Sequence, residues 1–395
     1  MTENERRSLA CELSSLCVFR GILNSSIPLR ALYEYLNSNG DTIERLYLYS
    51  DFVSSLMEDN GSFSDYLSRV VFADENQYII NRARGIRQGE SIAKNAAAEL
   101  ELFSKLCRLT PELLCGDLPF AGHIPQFDSE AIDFQKAYEE RLMAIECYGY
   151  GIFSQHKMFR IEDGNIVPLE SADRVSLDSF VGYEDERQRV FDNTRALCEG
   201  KKAANVLLFG DAGTGKSSTV KACANYFADS GLRLIEIRKD QLFSLSHIMD
   251  RIKDNPLRFI IFIDDLSFNK NDDCFSMLKA ALEGSASAKA ENAVIYATSN
   301  RRHIVKENFS DREGAEDVHH NDTVQELLSL SDRFGLTVYF GRPNKSLYLE
   351  IVKKLAVKHG LRLDEQELYS KAEVFALARG SRSPRAAEQF IESLK

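Results

Sequence analysis

Residues 205–218 read NVLLFGDAGTGKSS, and this stretch restricts what the chain can fold into more than any other. A short apolar run ends on Gly210, a glycine-spaced loop closes on Gly215, Lys216 and Ser217, and STVKACANYFA continues with helical patterning. The spacing matches G-x-x-x-x-G-K-[ST], in which each residue type has a task. Glycines let backbone N–H groups turn inward around phosphate oxygens, Lys216 supplies a point charge for the β and γ phosphates, and Ser217 offers a hydroxyl to Mg²⁺. The helix that follows adds its positive N-terminal end. Strand, loop and helix occur in the required order, so a glycine-rich turn arising by chance is the weaker reading. Gly210, Asp211, Ala212, Gly213, Thr214, Gly215, Lys216, Ser217 and Ser218 are the candidate phosphate contacts.

A second apolar run, FIIFIDDLSF at 259–268, ends on Asp264 and Asp265. Two adjacent acids at a buried strand end are costly unless something needs them. Beside a phosphate loop, Asp264 suits a Mg²⁺ contact, direct or through water, and Asp265 suits polarising the attacking water. The alternative is a pair of acids capping the next helix. Asn269, Lys270, Asn271 and Asp272 match the guanine-reading N-K-x-D pattern, but they follow the acids with no strand of their own and no preceding D-x-x-G. A third run, NAVIYATSN at 292–300, would deliver Asn300 beside the γ-phosphate if its strand adjoins the acid-bearing one. Arg333 stands just ahead of a last strand, LTVYF at 336–340, where it could reach a neighbouring subunit's nucleotide or pair with Asp332 or Glu326. Three helical segments close the chain. Arg385 opens the last one after Ser383 and Pro384, a position suited to proline, with Arg382 as the second candidate for reaching back over the nucleotide.

The other half of the chain has a different pattern. Up to about Leu114, apolar residues recur at helical spacing, as in Leu29, Leu32, Tyr33 and Leu36, with breaks at Asn39-Gly40 and Asn60-Gly61. The expected domains are a helical N-terminal domain at 1–128, a connecting helix and hairpin at 129–175, a nucleotide-binding domain at 176–342 and a helical lid at 343–395. Within the connector, 129–147 reads as one helix capped by Ser129, and Asp163, Gly164 and Asn165 signal a hairpin turn. The tyrosines Tyr33, Tyr35, Tyr47 and Tyr49 suggest a helical core that recruits a partner. A net charge of −11 argues against a general nucleic-acid coat, although Arg82, Arg84 and Arg87, or Arg301 and Arg302, could contact phosphates or another subunit. There is no signal-peptide pattern and no apolar run long enough to span a membrane, so a cytoplasmic protein is expected. The 8 cysteines form no CxxC pair and read as reduced core thiols, and His319 and His320 read as part of a solvated loop.

Taken in order, these parts resemble the AAA+ ATPases. Within them, VLLFGDAGTGKSSTVKA, FIDDLSF, YATSNRRHIV, LSLSDRFGL and GSRSPRAAEQF look like the bacterial DUF815 family of predicted ATPases, over about residues 130–395. The resemblance implies an α/β P-loop NTPase fold, a parallel sheet with helices on both faces and a C-terminal helical lid, and the helical spacing of the N-terminal part adds an all-helical domain ahead of it. It implies ATP and Mg²⁺ as cofactors, Asp264 and Ser217 at the metal, and Asp265, Asn300, Arg333 and Lys216 in catalysis. FVGYEDERQRV resembles the segment that packs on adenine, making Val181 and Gly182 candidate base contacts, and Arg385 takes the sensor role. A homo-oligomer completed by Arg333 in trans and an unknown protein client follow, with no membrane role and nucleic acid possible but not indicated. Two departures from the broader AAA+ pattern stand out. The second acid is aspartate rather than the usual glutamate, which could slow hydrolysis or bring in another acid such as Glu283, and only Phe243 could serve as a pore-loop aromatic. The expected activity is ATP hydrolysis that remodels or recruits a partner. A slow ATP-gated switch and a nucleic-acid loader are the alternatives.

Overall fold

The computed structural model describes residues 1–58, 60–169, 175–177, 180–266, 273–283, 290–300, 333–361 and 364–395. They form two compact units, Met1–Gln155 and His156–Lys395. The division falls ahead of the hairpin rather than near residue 175, because the hairpin is hydrogen bonded into the sheet of the second unit.

The first unit is helical, as its periodicity predicts. Its helices are α1 (Glu3–Ser14), α2 (Arg20–Ser25), α3 (Ile27–Asn37), α4 (Thr42–Met57), α5 (Phe63–Ala73), α6 (Gln77–Ala83), α7 (Glu90–Leu106), α8 (Pro111–Cys115), α9 (Phe134–Met143), α10 (Ile145–Tyr148) and α11 (Ile152–Gln155). Side chains cap most of the longer ones: Asp41 accepts from Ile43 and Glu44 N–H, and Ser62 accepts from Asp65 N–H. The region 129–147 is not one helix. Asp133 caps α9 through Lys136 N–H, while the Ser129 hydroxyl donates to Cys107 O. The tyrosines divide as well: Tyr35 and Tyr49 are fully buried with ring centroids 5.6 Å apart, whereas Tyr47 points outward.

In the second unit, β1 (Met158–Glu162) and β2 (Asn165–Pro168) form the hairpin, with Asp163 at φ 48° and Gly164 at φ 78°, as a tight primed turn requires. The remaining strands are β3 (Val206–Gly210), β4 (Leu232–Ile237), β5 (Arg258–Ile263), β6 (Ala293–Ser299) and β7 (Leu336–Phe340). They form one sheet in the order β2-β1-β4-β5-β6-β3-β7, parallel except for β1 with β2. All but the first residue of β5 is buried, as expected of a strand covered on both faces. The helices of this unit are α12 (Glu184–Cys198), α13 (Lys216–Tyr226), α14 (Leu245–Ile252) and α15 (Asp273–Glu283), then α16 (Lys345–Lys358), α17 (Glu365–Ala378) and α18 (Pro384–Glu392). The last three share a small core of their own that includes Tyr348, Ile351, Val352, Leu368 and Phe390. This is the α/β P-loop fold that the resemblance implied, a mostly parallel sheet with a C-terminal group of helices. Because β6 lies between β5 and β3, the strand ends carrying the acids, Asn300 and the glycine loop are adjacent.

Candidate nucleotide-binding site

The loop after β3 is held by backbone geometry that a side chain would spoil. Gly210, at φ 135°, lies against β7 so closely that a Cβ there would stand 2.1 Å from Phe340 O. Gly213, at φ 74°, leaves room for the start of α18, and Arg385 N–H donates to its carbonyl at 3.3 Å. The loop then closes on itself, with the Thr214 hydroxyl donating to Asp211 O at 2.8 Å. Lys216 is buried, and its ammonium donates to Gly210 O at 3.1 Å and Asp211 O at 2.7 Å. Burial lowers its pKa from the ordinary lysine value, and Asp211, Asp264 and Asp265 oppose that shift.

The two acids are held differently. Asp264 Oδ1 accepts from the Ser217 hydroxyl at 2.6 Å and from the Thr298 hydroxyl at 2.5 Å. Asp265 adopts a left-handed backbone conformation, φ 51°, which aspartate tolerates better than most residues. Its N–H donates to Thr298 Oγ1 at 2.9 Å, and its Oδ1 accepts from Asn300 Nδ2 at 2.8 Å. Thr298 thus joins both acids, a role the sequence reading missed. The available signal was period-two alternation, which places Thr298 on the same strand face as Asn300.

These groups surround a cavity of ≈ 250 Å³. Ala212, Gly213, Gly215, Lys216, Ser217 and Ser218 line it, whereas Gly210, Asp211 and Thr214 shape the loop from behind. Asp264, Asp265 and Asn300 line one side and Arg385 another. Arg382 is instead paired with Glu373 through two bonds of 3.0 and 2.8 Å. Val181 lines the cavity and packs on the C-terminal helices together with Leu347. Gly182, at φ 79°, sits beneath it, where a Cβ would meet Leu347 at 3.1 Å. The segment is anchored by the Tyr183 hydroxyl, which donates to Gly341 O at 2.6 Å.

Arg333 is not brought to this cavity. It precedes β7 at the end of the sheet opposite the loop, since β7 runs parallel to β3 from Leu336 beside Val206 to Phe340 beside Gly210. Asn269 to Asp272, Arg301 to His303, His319 to Asp322, Glu326, Asp332 and the Glu283 side chain lie outside the described residues. Phe243 is exposed in a 3₁₀ turn after β4. Among the described residues no cluster of three His, Cys, Asp or Glu groups could hold a metal, so a divalent cation here would depend on Ser217, Asp264 and ligand oxygens.

The model of a family described as a protein of unknown function, DUF815, matches residues 154–395, more than half the chain. The chain belongs to the DUF815 family. No curated protein matches this DUF815 protein. Among solved structures, the RuvB Holliday junction branch migration motor of Thermotoga maritima is 14% identical, over 56% of this chain and 72% of that one, with a TM-score of 0.34. DnaI is 18% identical, over 49% of this chain and 97% of that one, with a TM-score of 0.33. The fold assignment rests on the strand order and the P-loop of the DUF815 protein itself. Among its described residues, no helix is long and apolar enough to cross a membrane.

Proposed function

We propose that this DUF815 protein binds ATP with Mg²⁺ in the cavity above β3, hydrolyses it, and uses the cycle to remodel or recruit a macromolecular partner. The observation that carries this reading is the convergence of Lys216, Ser217, Asp264, Asp265, Asn300 and Arg385 on one cavity. The Ser217 hydroxyl and the Asp264 carboxylate are hard oxygen donors already in contact, the set that Mg²⁺ takes beside phosphate oxygens. When bound, Mg²⁺ would neutralise charge that builds on the phosphates. Lys216 would exchange its two carbonyl acceptors for β- and γ-phosphate oxygens. Asp265 would accept a proton from the attacking water, and Asn300 would orient that water, because amide and carboxylate meet at 2.8 Å. Arg385 would sense the γ-phosphate. Arg333, remote from its own chain's cavity, would complete a neighbouring subunit's site in a homo-oligomer.

The test is Mg²⁺-dependent phosphate release across a dilution series. Turnover that rises with protein concentration and disappears in Arg333→Ala, with ATP binding retained, supports the reading. A protein that neither binds nor hydrolyses ATP overturns it. The contact between Asp265 and Asn300, together with the short aspartate side chain, favours a second reading, a slow ATP-gated switch. Asp265→Glu separates the two: a marked rise in turnover supports a switch, and a fall supports a catalyst already matched to aspartate.

A further inference from the structure

The cavity contains a buried arginine without a task so far. Arg187 lies on the inward stripe of α12 with Val190, Thr194 and Leu197, and it is 8% exposed. Its guanidinium carbon stands 4.4 Å from the ring centroid of Phe180 and 6.0 Å from that of Tyr183. One terminal nitrogen donates to Gly182 O, and the Nε–H has no partner among the described residues. The other terminal nitrogen lies 3.6 Å from where a Cβ on Gly215 would stand. Burial lowers its pKa to about 10, and Glu184, Glu186 and Glu388 oppose that shift only through space. Arg187 therefore stays protonated at neutral pH. A buried cation with an unmet N–H and no contacting anion among the described residues is costly unless a ligand supplies the anion.

We propose that Arg187 reads the α-phosphate of the bound nucleotide from the Gly215 end of the P-loop. The inference rests on the reading of the cavity as an ATP site. Two arginines bracket the loop: Arg385 meets it at Gly213, and Arg187 meets it at Gly215, where the loop becomes α13. In a P-loop the lysine reaches the β and γ phosphates, and the backbone cradle extends to the α-phosphate. An arginine at the helix end of the loop thus faces the phosphate that Lys216 does not reach. Phe180 and Tyr183 hold the guanidinium in place, so little side-chain freedom is lost on binding. Glu388 lines the same cavity, but a carboxylate is an acceptor and suits donors of the sugar or base, not phosphate.

The α-phosphate is common to ATP and ADP, so Arg187 would contribute to both equally, whereas a γ-phosphate sensor favours ATP. Calorimetric titration of the full chain with ATP, ADP and GTP tests this in wild type, Arg187→Gln, Arg187→Lys and Arg385→Ala. Arg187→Gln is expected to weaken ATP and ADP by the same factor, about tenfold, with the ATP-to-GTP ratio unchanged. Arg187→Lys is expected to lose less, and Arg385→Ala to weaken ATP more than ADP. Wild-type affinities in a folded Arg187→Gln protein overturn the inference while leaving the ATP reading intact. So does a change in base preference without a common loss. If Arg187→Gln does not fold, Arg187→Lys decides in its place, since unchanged or unequal losses there also overturn the inference. A wild-type protein that binds no nucleotide overturns the ATP reading and this inference with it.

Discussion

Both units turn backbone N–H groups toward a place for an anion beside the start of a helix, but only the first fills that place with an acid of its own. In the N-terminal unit, buried Glu99 on α7 accepts from Cys17 N–H at 2.9 Å and Phe19 N–H at 2.8 Å, and Val18 N–H is shared between its oxygens. The Cys17 thiol donates to it at 3.1 Å, which raises the thiol pKa above its ordinary value. The chain thus supplies its own anion ahead of α2, and the arrangement is closed. In the second unit, the glycine loop and the start of α13 face a cavity, and the nearby acids bond to Ser217, Thr298 and Asn300 instead. The same electrostatics is structural where the chain provides the anion, and it forms a candidate ligand site where the chain leaves the place open.

The largest expected effect tests the closed arrangement. Glu99→Ala strands the three amides and should cost about 3 kcal/mol or more in stability by chemical denaturation. ATP affinity should stay near wild type, because every Glu99 bond lies within Met1–Gln155. Loss of nucleotide binding in a folded Glu99→Ala protein would break the comparison.

Lys216→Ala tests the open arrangement. It should weaken ATP binding roughly a hundredfold, equivalent to about 2.7 kcal/mol, with little change in stability without nucleotide. The thermal shift that saturating ATP produces in wild type should disappear with it.

A pH titration separates the units again. Asp74, in the helical unit, has its carboxyl raised to about 6, chiefly by burial and partly opposed by the bond from Asn76. A folded pKa above the unfolded value of 3.8 means that the native state holds the proton longer. Stability should therefore fall as pH rises from about 4 to 6, by on the order of 2 kcal/mol, and stay level above that window. Asp74→Asn should flatten the profile in that range; an unchanged slope would show that other groups set it.

The smallest effect concerns the hydroxyl that joins the acids. Thr298→Val keeps the side-chain shape and removes the bonds to Asp264 and Asp265 N–H, so turnover should drop about tenfold with a smaller change in ATP affinity. An equal loss in both would show that Thr298 serves binding rather than the placement of Asp265.

Much of this was legible in the chain because it is local. The strands at 206–210, 258–263, 293–299 and 336–340 follow the apolar runs closely, and the Asp163-Gly164 turn follows from residues that accept positive φ. The failures had local causes too. Ser129 had the chemistry of a helix cap, but its hydroxyl is committed to Cys107 O, and Asp133 takes the cap. Arg187 carried a visible signal, an arginine in phase with Val190, Thr194 and Leu197, yet helical phase does not say whether a buried cation meets a protein acid or faces a cavity.

By itself, then, the sequence determined most of the segments that are strands and helices, where the glycine loop turns, and that two acids end β5. Hydrophobic period and the backbone limits of glycine, proline and aspartate act within a few residues of each other. Only the tertiary structure decided that β6 lies between β5 and β3, that Thr298 bridges the acids, and that Arg385 rather than Arg382 faces the cavity with Arg187 opposite. Those outcomes depend on which strands adjoin and which charges find partners first. Arg382 finds Glu373, and no spacing along the chain encodes that pairing.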